Sequence, residues 1–186
     1  IITDPASLSD ANAINLMTEG KVTLNSVADN YSNIQSIKSI DDSQVDMGAA
    51  AVRVMNNITK SEVDDLLTDT TGKITVVSIT EDKSDLSTIN DNTNVILSTA
   101  NITVEDNVSR SEADVIDGYN TAGGTVTLTS ITDTVSDVTA VNSNTNISLA
   151  NAAIIITDPA SLSDANAINL MTEGKATLKK VQDSYD

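Results

Sequence analysis

Apolar residues recur along this chain with two alternating periods, one typical of strands and one typical of helices. In extended segments such as residues 95–106, VILSTANITVED, apolar and polar residues alternate, as they do in a strand with one buried face. The phase of this alternation changes once, between Leu97 and Ala100. The pattern therefore predicts a bend there and at the equivalent positions near residues 48 and 150.

A helix is predicted after each long extended segment, because a hydroxyl residue is followed three positions later by an acid, the spacing of a capping box. The four pairs are Ser7/Asp10, Thr59/Glu62, Ser109/Glu112 and Ser161/Asp164. Apolar residues then recur every three or four positions, as at Ala11, Ile14 and Met17, and predict one buried stripe. The helices are predicted to end at glycines in the left-handed conformation, which glycine adopts without steric cost. These glycines are Gly20, Gly72, Gly124 and Gly174.

A second strand and a shorter helix follow each glycine, beginning KVTL, KITV, TVTL or KATL. The Thr of each motif is predicted to face outward between two inward apolar residues; these are Thr23, Thr75, Thr127 and Thr177. The shorter helices are predicted to be capped by Asn30, Asp82 and Thr134. The resulting order βαβα implies parallel strands joined by right-handed crossovers.

An Ile or Val that stands two positions before an acidic or amide residue recurs along the whole chain. We call the second members of these pairs the acidic column; they are Asp4, Asp29, Asn56, Glu81, Asp106, Asp133, Asp158 and Asp183. Successive members are 25, 27, 25, 25, 27, 25 and 25 residues apart. Periods of this length are typical of stacked repeats. We therefore predict an α/β fold, a right-handed solenoid of strand-helix coils of about 25 residues, similar in architecture to leucine-rich repeats.

The coils pair into double repeats of about 52 residues, which predict one continuous array over residues 1–186. The boundaries are 1–52, 53–104 and 105–156, with a partial repeat at 157–186. An alternative arrangement has one coil per double repeat, with long and short strands in separate sheets. Residues 1–24 recur at 155–178 with a single difference, Val22 against Ala176, which is typical of an excerpt from a longer array. The partners expected are neighbouring repeats and, through the exposed ends, head-to-tail copies of the chain.

Composition excludes several classes of function. The chain has no Cys or His and carries 27 acidic against 10 basic residues, a net charge of −17. Nucleic acids and anionic membranes both require clustered Lys and Arg, so neither is an expected partner. No apolar run approaches the roughly 20 residues of a membrane span, so we expect no membrane insertion. Without His or Cys, nucleophilic catalysis is not expected, and we predict that the protein is not an enzyme.

Two main interpretations of the acidic column remain open. If its carboxylates lie about 5 Å apart in neighbouring coils they repel, and something should compensate. Either each accepts hydrogen bonds from backbone N–H groups at the strand-to-helix turn, or calcium bridges neighbouring coils through their oxygens. The calcium candidates are Asp4, Asp29, Glu81, Asp106, Asp133, Asp158 and Asp183. A catalytic pair of carboxylates is the least favoured interpretation, and no cofactor other than calcium is expected.

Tandem copies of SITDT…SDVTAV…N and TVTLTSITD resemble the repeats of very large, acidic, low-aromatic cell-surface proteins of bacteria, including cyanobacteria. The resemblance extends over essentially the entire chain and implies an extracellular or cell-surface location with a structural or adhesive role. The expected function is a non-enzymatic spacer segment of a large surface protein. The alternative is an adhesin-type module that binds glycans, depends on calcium or presents its Thr residues as an ice-binding face.

Overall fold

The computed structural model of the protein describes residues 2, 4–40 and 44–182, which form seven helices and eleven strands. The helices are α1 (Leu8–Asn15), α2 (Tyr31–Lys38), α3 (Lys60–Asp69), α4 (Lys83–Asn90), α5 (Arg110–Asp117), α6 (Val135–Asn142) and α7 (Leu162–Asn169). The strands are β1 (Val22–Thr23), β2 (Ser26–Asp29), β3 (Val45–Asp46), β4 (Ala51–Ile58), β5 (Ile74–Glu81), β6 (Val95–Ile96), β7 (Asn101–Val108), β8 (Val126–Asp133), β9 (Ile147–Ser148), β10 (Ala153–Ala160) and β11 (Ala176–Val181). The strand pairs are parallel, so the predicted α/β class with parallel strands is confirmed. The solenoid stays a prediction.

The chain divides into two compact units, one of residues 1–79 with 88–99 and one of residues 80–87 with 100–186. In the first unit, β4 lies between β2 and β5, β6 pairs with β5, and β1 pairs with β3. In the second unit the strand order is β7, β8, β10, β11, and β9 pairs with β8. The predicted single array of double repeats stays a prediction.

The core consists of apolar side chains that face each other along the parallel strands. Val27 lies beside Val52 in the first unit, and Val104 lies beside Leu128 in the second; all four are at most 2% exposed. The buried apolar residues of the alternating segments include Val22, Leu24, Ile102, Val104, Val126, Leu128, Ile154 and Ile156. Alternation of apolar residues thus identified the buried strand face correctly, because side chains of a strand point to opposite faces in turn.

The predicted bends are confirmed. Each is a turn between a two-residue strand and an eight-residue strand, as between β3 and β4. The Ala50 N–H donates to the Met47 carbonyl at 2.8 Å, and the Ala152 N–H donates to the Leu149 carbonyl at 2.9 Å. The alanines that end these turns, Ala50, Ala100 and Ala152, are fully buried.

The proposed role of the glycines after the helices is wrong. Among the described residues, Gly123 is the one glycine with a positive φ, 118°. Gly72, Gly124 and Gly174 instead lie against backbone, where an added Cβ would be 2.1, 1.9 and 2.3 Å from the carbonyl oxygens of Ala50, Ala100 and Ala152. Glycine is needed at these three positions because two segments of backbone approach too closely for a side chain.

The helices bury one stripe, as predicted, except where a helix ends early. Val63 and Leu66 of α3 are fully buried. The shorter helices bury Ile34 and Ile37, Leu86 and Ile89, and Val138 and Val141. In α1, Ala11 is buried and Ile14 half-buried, but the expectation for Met17 is wrong: it is 83% exposed because the helix ends at Asn15. Among the described residues, no helix is long and apolar enough to cross a membrane.

Candidate functional site

Five members of the acidic column, Asp29, Asn56, Asp106, Asp133 and Asp158, lie at the amino-terminal ends of helices, which we call the capping edge. Four capping boxes are confirmed there, at Ser7/Asp10, Thr59/Glu62, Ser109/Glu112 and Ser161/Asp164. In α5 the Ser109 N–H donates to the Glu112 carboxylate at 2.7 Å. The caps at Asp82 and Thr134 are confirmed as well, but the cap at Asn30 is wrong, because its side chain makes no capping hydrogen bond.

Members of the acidic column cap the helix that immediately precedes their own strand. In five cases the first backbone N–H of that helix donates to the side chain of the column residue. The pairs are Leu8 to Asp29 at 3.0 Å, Tyr31 to Asn56 at 2.8 Å, Lys83 to Asp106 at 3.0 Å, Arg110 to Asp133 at 2.9 Å, and Val135 to Asp158 at 2.9 Å. These N–H groups have no partner inside the helix, so each bond satisfies an otherwise unpaired donor. The capping role is therefore present, with partners 21 to 25 residues apart in sequence.

Local irregularities in the strands orient these side chains. Asn56, Asp106 and Asp158 lie in β-bulges, where the pairing register of β4, β7 and β10 shifts. A bulge inserts an extra residue and turns its side chain away from the regular ladder. Asp133 ends β8 and bonds twice, since its second oxygen accepts from the Thr134 N–H at 2.9 Å. One carboxylate thus joins the start of α5 to the residue that caps α6.

Cations strengthen the capping edge in the second unit. The Lys83 ammonium lies 2.9 Å from Glu112, and the Arg110 guanidinium lies 3.0 Å from Asp137. Each pair joins the first residue of one helix to the acid in the first turn of the next helix. Carboxylates at a helix amino terminus also interact favourably with the helix dipole. Ion pairs in the second unit therefore join α4 to α5 and α5 to α6, beside the capping hydrogen bonds from helices to strand residues.

Several carboxylates of the edge have lowered pKa values. The pKa of Glu112 is lowered first by the hydrogen bond from the Ser109 backbone N–H and then by the Lys83 ammonium. The pKa of Asp137 is lowered first by the Thr134 hydroxyl and then by the Arg110 guanidinium. Burial raises the pKa of Asp29, but hydrogen bonds from Leu8, Asn33 and Asn30 together hold it below its ordinary value. The same direction applies to Asp10, Asp82 and Asp164. These groups therefore stay ionised in the folded protein when the pH approaches the ordinary carboxyl range.

The remaining calcium candidates are placed as follows. Asp4 is exposed, and Glu81 is half-buried at the end of β5. Asp183 lies outside the described residues. Among residues 2, 4–40 and 44–182, no group of three or more acidic side chains is arranged to hold a metal ion. Calcium binding along the acidic column stays a prediction.

A polar contact that the sequence analysis missed lies at the glycines that follow the long helices. The buried Thr70 hydroxyl accepts from the Gly72 N–H at 2.9 Å and donates to the Ala50 carbonyl at 2.6 Å. Thr172 does the same with Gly174 and Ala152, at 2.8 and 2.7 Å. The spacing Thr-x-Gly at 70–72 and 172–174 is the signal that would have found this relay. The hydroxyl satisfies two backbone groups that the close approach of the glycine would otherwise leave unpaired.

Replacing Asp133 with alanine is expected to lower the free energy of unfolding by roughly 1–2 kcal/mol, because two backbone N–H groups lose their acceptor. Asp133→Asn should lose only part of this stability, since its one amide oxygen can accept from one of the two N–H groups, as Asn56 does from Tyr31, whereas its NH2 group can accept from neither. Urea denaturation of the three proteins measures the difference. Equal losses in the alanine and asparagine variants would contradict the capping role.

The same variants test calcium. If calcium binds the column, millimolar calcium should raise the melting temperature of the wild type more than sodium chloride of equal ionic strength, because a ligand stabilises the state that it binds. Asp133→Asn should reduce that difference, because a neutral amide is a poorer calcium ligand than a carboxylate. Equal shifts with the two salts in the wild type would leave capping as the role of the column.

Acid is expected to destabilise the protein as the pH falls below about 4, the ordinary carboxyl range. A carboxyl whose pKa is lower in the folded protein than in the unfolded chain binds fewer protons when folded. Its contribution to the free energy of unfolding is therefore present above the ordinary carboxyl range and is lost below it. Melting temperatures between pH 7 and pH 2 measure this loss. Glu112→Gln should lower stability at neutral pH and flatten the acid dependence; an unchanged acid slope would show that Glu112 does not contribute.

No model of a known protein family, no curated protein and no solved structure matches this chain. Its function has to be inferred from the hydrogen bonds, ion pairs and close backbone contacts described above.

Proposed function

We propose that the chain is a non-enzymatic structural spacer within a large extracellular or cell-surface protein. The observation that carries this proposal is the capping edge, where the column residue of a strand caps the helix immediately before that strand. In five cases such a bond ties one strand-helix segment to the next one in sequence. A chain stabilised by contacts between sequence neighbours can be lengthened by adding further segments, which is what a spacer requires.

The spacer proposal includes the solenoid predicted from the sequence. Three kinds of contact between neighbouring segments support it: parallel strand pairing, capping by the acidic column, and the close approach of Gly72 and Gly174 to the preceding bend. In each kind of contact, the two partner residues lie about one or two strand-helix segments apart in the sequence. In a right-handed stack of coils, the same contacts would recur at every step without a central core that limits length.

The surface charge is consistent with this role. A net charge of −17 disfavours non-specific aggregation of the chain in water. The outward Thr residues of the strands are half-buried or exposed, at positions 23, 75, 127 and 177. A polar, acidic exterior over an aliphatic interior suits a segment that is surrounded by water along its whole length.

A length series tests the spacer proposal. Chains with one and two additional double repeats, copied from residues 53–104, should each increase the maximum dimension measured by small-angle X-ray scattering by about 10 Å, two strand spacings. The free energy of unfolding should rise with each repeat. A maximum dimension that grows only with the cube root of the chain length would contradict the solenoid and, with it, the spacer.

The adhesin-type alternative has one observation in its favour. An open groove of about 390 Å³ in the second unit is lined by Lys83, Glu112, Val115 and Tyr119, and the Val115 side chain is 57% exposed. A sugar ring has both apolar C–H groups and polar hydroxyls, so a groove lined by apolar and polar side chains suits it. Binding on a glycan array that is lost in Tyr119→Ala, with melting temperature unchanged, would favour adhesion over the spacer role.

A further inference from the structure

The two copies of the duplicated segment have different surroundings. Leu24 is 1% exposed, whereas its equivalent Leu178 is half-buried. Val27 is 1% exposed, whereas Val181 is 54% exposed. Because residues 1–24 and 155–178 are nearly identical and Val181 is the equivalent of Val27, the second copy presents apolar side chains of the kind that are covered in the first copy.

In the first copy the cover comes from β3 and β4, residues 45–58, together with Gln44; we call residues 44–58 the acceptor segment. The Val22 and Leu24 N–H groups donate to the carbonyls of Gln44 and Asp46 at 2.6 and 2.9 Å. The Asn15 amide donates to the Gln44 side chain at 3.0 Å. Strand pairing and a side-chain hydrogen bond thus hold the first copy in place.

An ion pair adds to this interface. The Lys21 ammonium lies 3.1 Å from the Asp46 carboxylate. Because the chain has only 10 basic residues, few of its segments can place a lysine opposite Asp46. The ion pair therefore makes the acceptor segment selective for a segment that carries such a lysine.

The second copy carries the same donors. Asn169 and Lys175 are the equivalents of Asn15 and Lys21, and both are exposed. Among the described residues, β11 pairs with β10 on one side and lies at the edge of its sheet. A free edge of this kind is a template for pairing with another chain. Thr177, Leu178 and Val181 of β11 are the same residue types as Thr23, Leu24 and Val27, which lie against the acceptor segment in the first copy.

We infer that residues 156–181 of one molecule bind the acceptor segment of a second copy of this chain, in place of that copy's own residues 2–27. The hydrogen bonds formed between molecules are nearly the same as those they replace within one molecule, so exchange depends on protein concentration and on how firmly the first copy is held. The interface joins different surfaces of the two molecules, so it extends head to tail. It is a specific form of the head-to-tail association expected from the sequence and does not depend on the spacer role.

Matched substitutions in the two copies test the exchange. Leu24→Asp should loosen the first copy and open the acceptor segment, so that oligomers form at a concentration at least about tenfold lower than for the wild type. Leu178→Asp should not promote association, and the double variant should stay monomeric, because its second copy cannot bind. Light scattering after size-exclusion chromatography measures mass, and circular dichroism confirms folding. Association of the double variant equal to that of Leu24→Asp, or a folded Leu24→Asp that stays monomeric, would overturn the proposal.

A crosslinking experiment covers the case in which Leu24→Asp fails to fold. Ser26 and Ala51 are direct partners in the β2–β4 pair, and Lys180 is the equivalent of Ser26. The chain has no cysteine, so mixing Lys180→Cys with Ala51→Cys should give an intermolecular disulfide, since parallel partners lie within bridging distance and the Asp46 carboxylate is retained. Lys180→Cys mixed with Glu105→Cys is the control. Equal crosslinking in the two mixtures, or none in the first, would overturn the exchange.

Discussion

Replacing Gly124 with alanine is expected to destabilise the second unit by at least about 3 kcal/mol, among the largest effects of a single methyl group. The new Cβ would lie 1.9 Å from the Ala100 carbonyl oxygen and 2.7 Å from the Asn120 amide nitrogen. The Ala100 carbonyl belongs to the bend before β7, and close-packed backbone cannot yield without disturbing the strand that follows. Urea denaturation followed by circular dichroism measures the loss.

The duplicated segment supplies a matched control for this prediction. Gly20 and Gly174 lie in identical local sequence, yet a Cβ at Gly174 would be 2.3 Å from the Ala152 carbonyl oxygen, whereas at Gly20 the nearest atom is the Thr18 hydroxyl at 3.4 Å. We expect Gly174→Ala to be strongly destabilising and Gly20→Ala to be nearly neutral. Equal effects at the two glycines would show that local conformation, and not backbone approach, requires glycine there.

Truncation of Leu128 to alanine is expected to cost about 2–5 kcal/mol, the range for a buried leucine. Leu128 is 1% exposed and lies between Val104 of β7 and the core of the second unit. Its sequence equivalent Leu178 ends the same motif in β11 but is half-buried. Leu178→Ala should therefore cost clearly less, because part of its side chain already contacts water.

Urea denaturation measures both leucine variants, at two protein concentrations that are the same for each variant. Leu178 lies in the same unit as Leu128, so the two losses refer to the same unfolding reaction. Equal losses would mean that Leu178 is covered in solution. Such a result, if it depended on protein concentration, would point to the exchanged interface proposed above.

Local sequence patterns predicted most elements of the fold. Capping boxes such as Ser109/Glu112 join residues three positions apart, so their chemistry is complete within one helical turn. The buried faces of strands, as at Ile102 and Val104, follow from alternation because the pleat points neighbouring side chains to opposite faces. These features need no information about distant parts of the chain.

The chemistry of the acidic column could be predicted only in part. Its period of about 25 residues is visible in the sequence, and a capping role was one of the two main interpretations. The partners were not predictable, because the N–H that bonds to Asp133 belongs to Arg110, 23 residues earlier. The bulges that turn Asp106 and Asp158 toward their helices likewise depend on how neighbouring strands align.

The sequence by itself determined where helices and strands begin, which face of each is apolar and which acids cap their own helix. The tertiary structure alone decided which glycines touch backbone and which copy of the duplicated segment is covered. Gly20 and Gly174 share the sequence Thr-Glu-Gly-Lys but not their surroundings, and Leu24 and Leu178, which end the duplicated segment, differ in burial. Local conformation follows from the residues within a turn, whereas burial depends on which distant segment packs against them, so identical sequences can carry different energies.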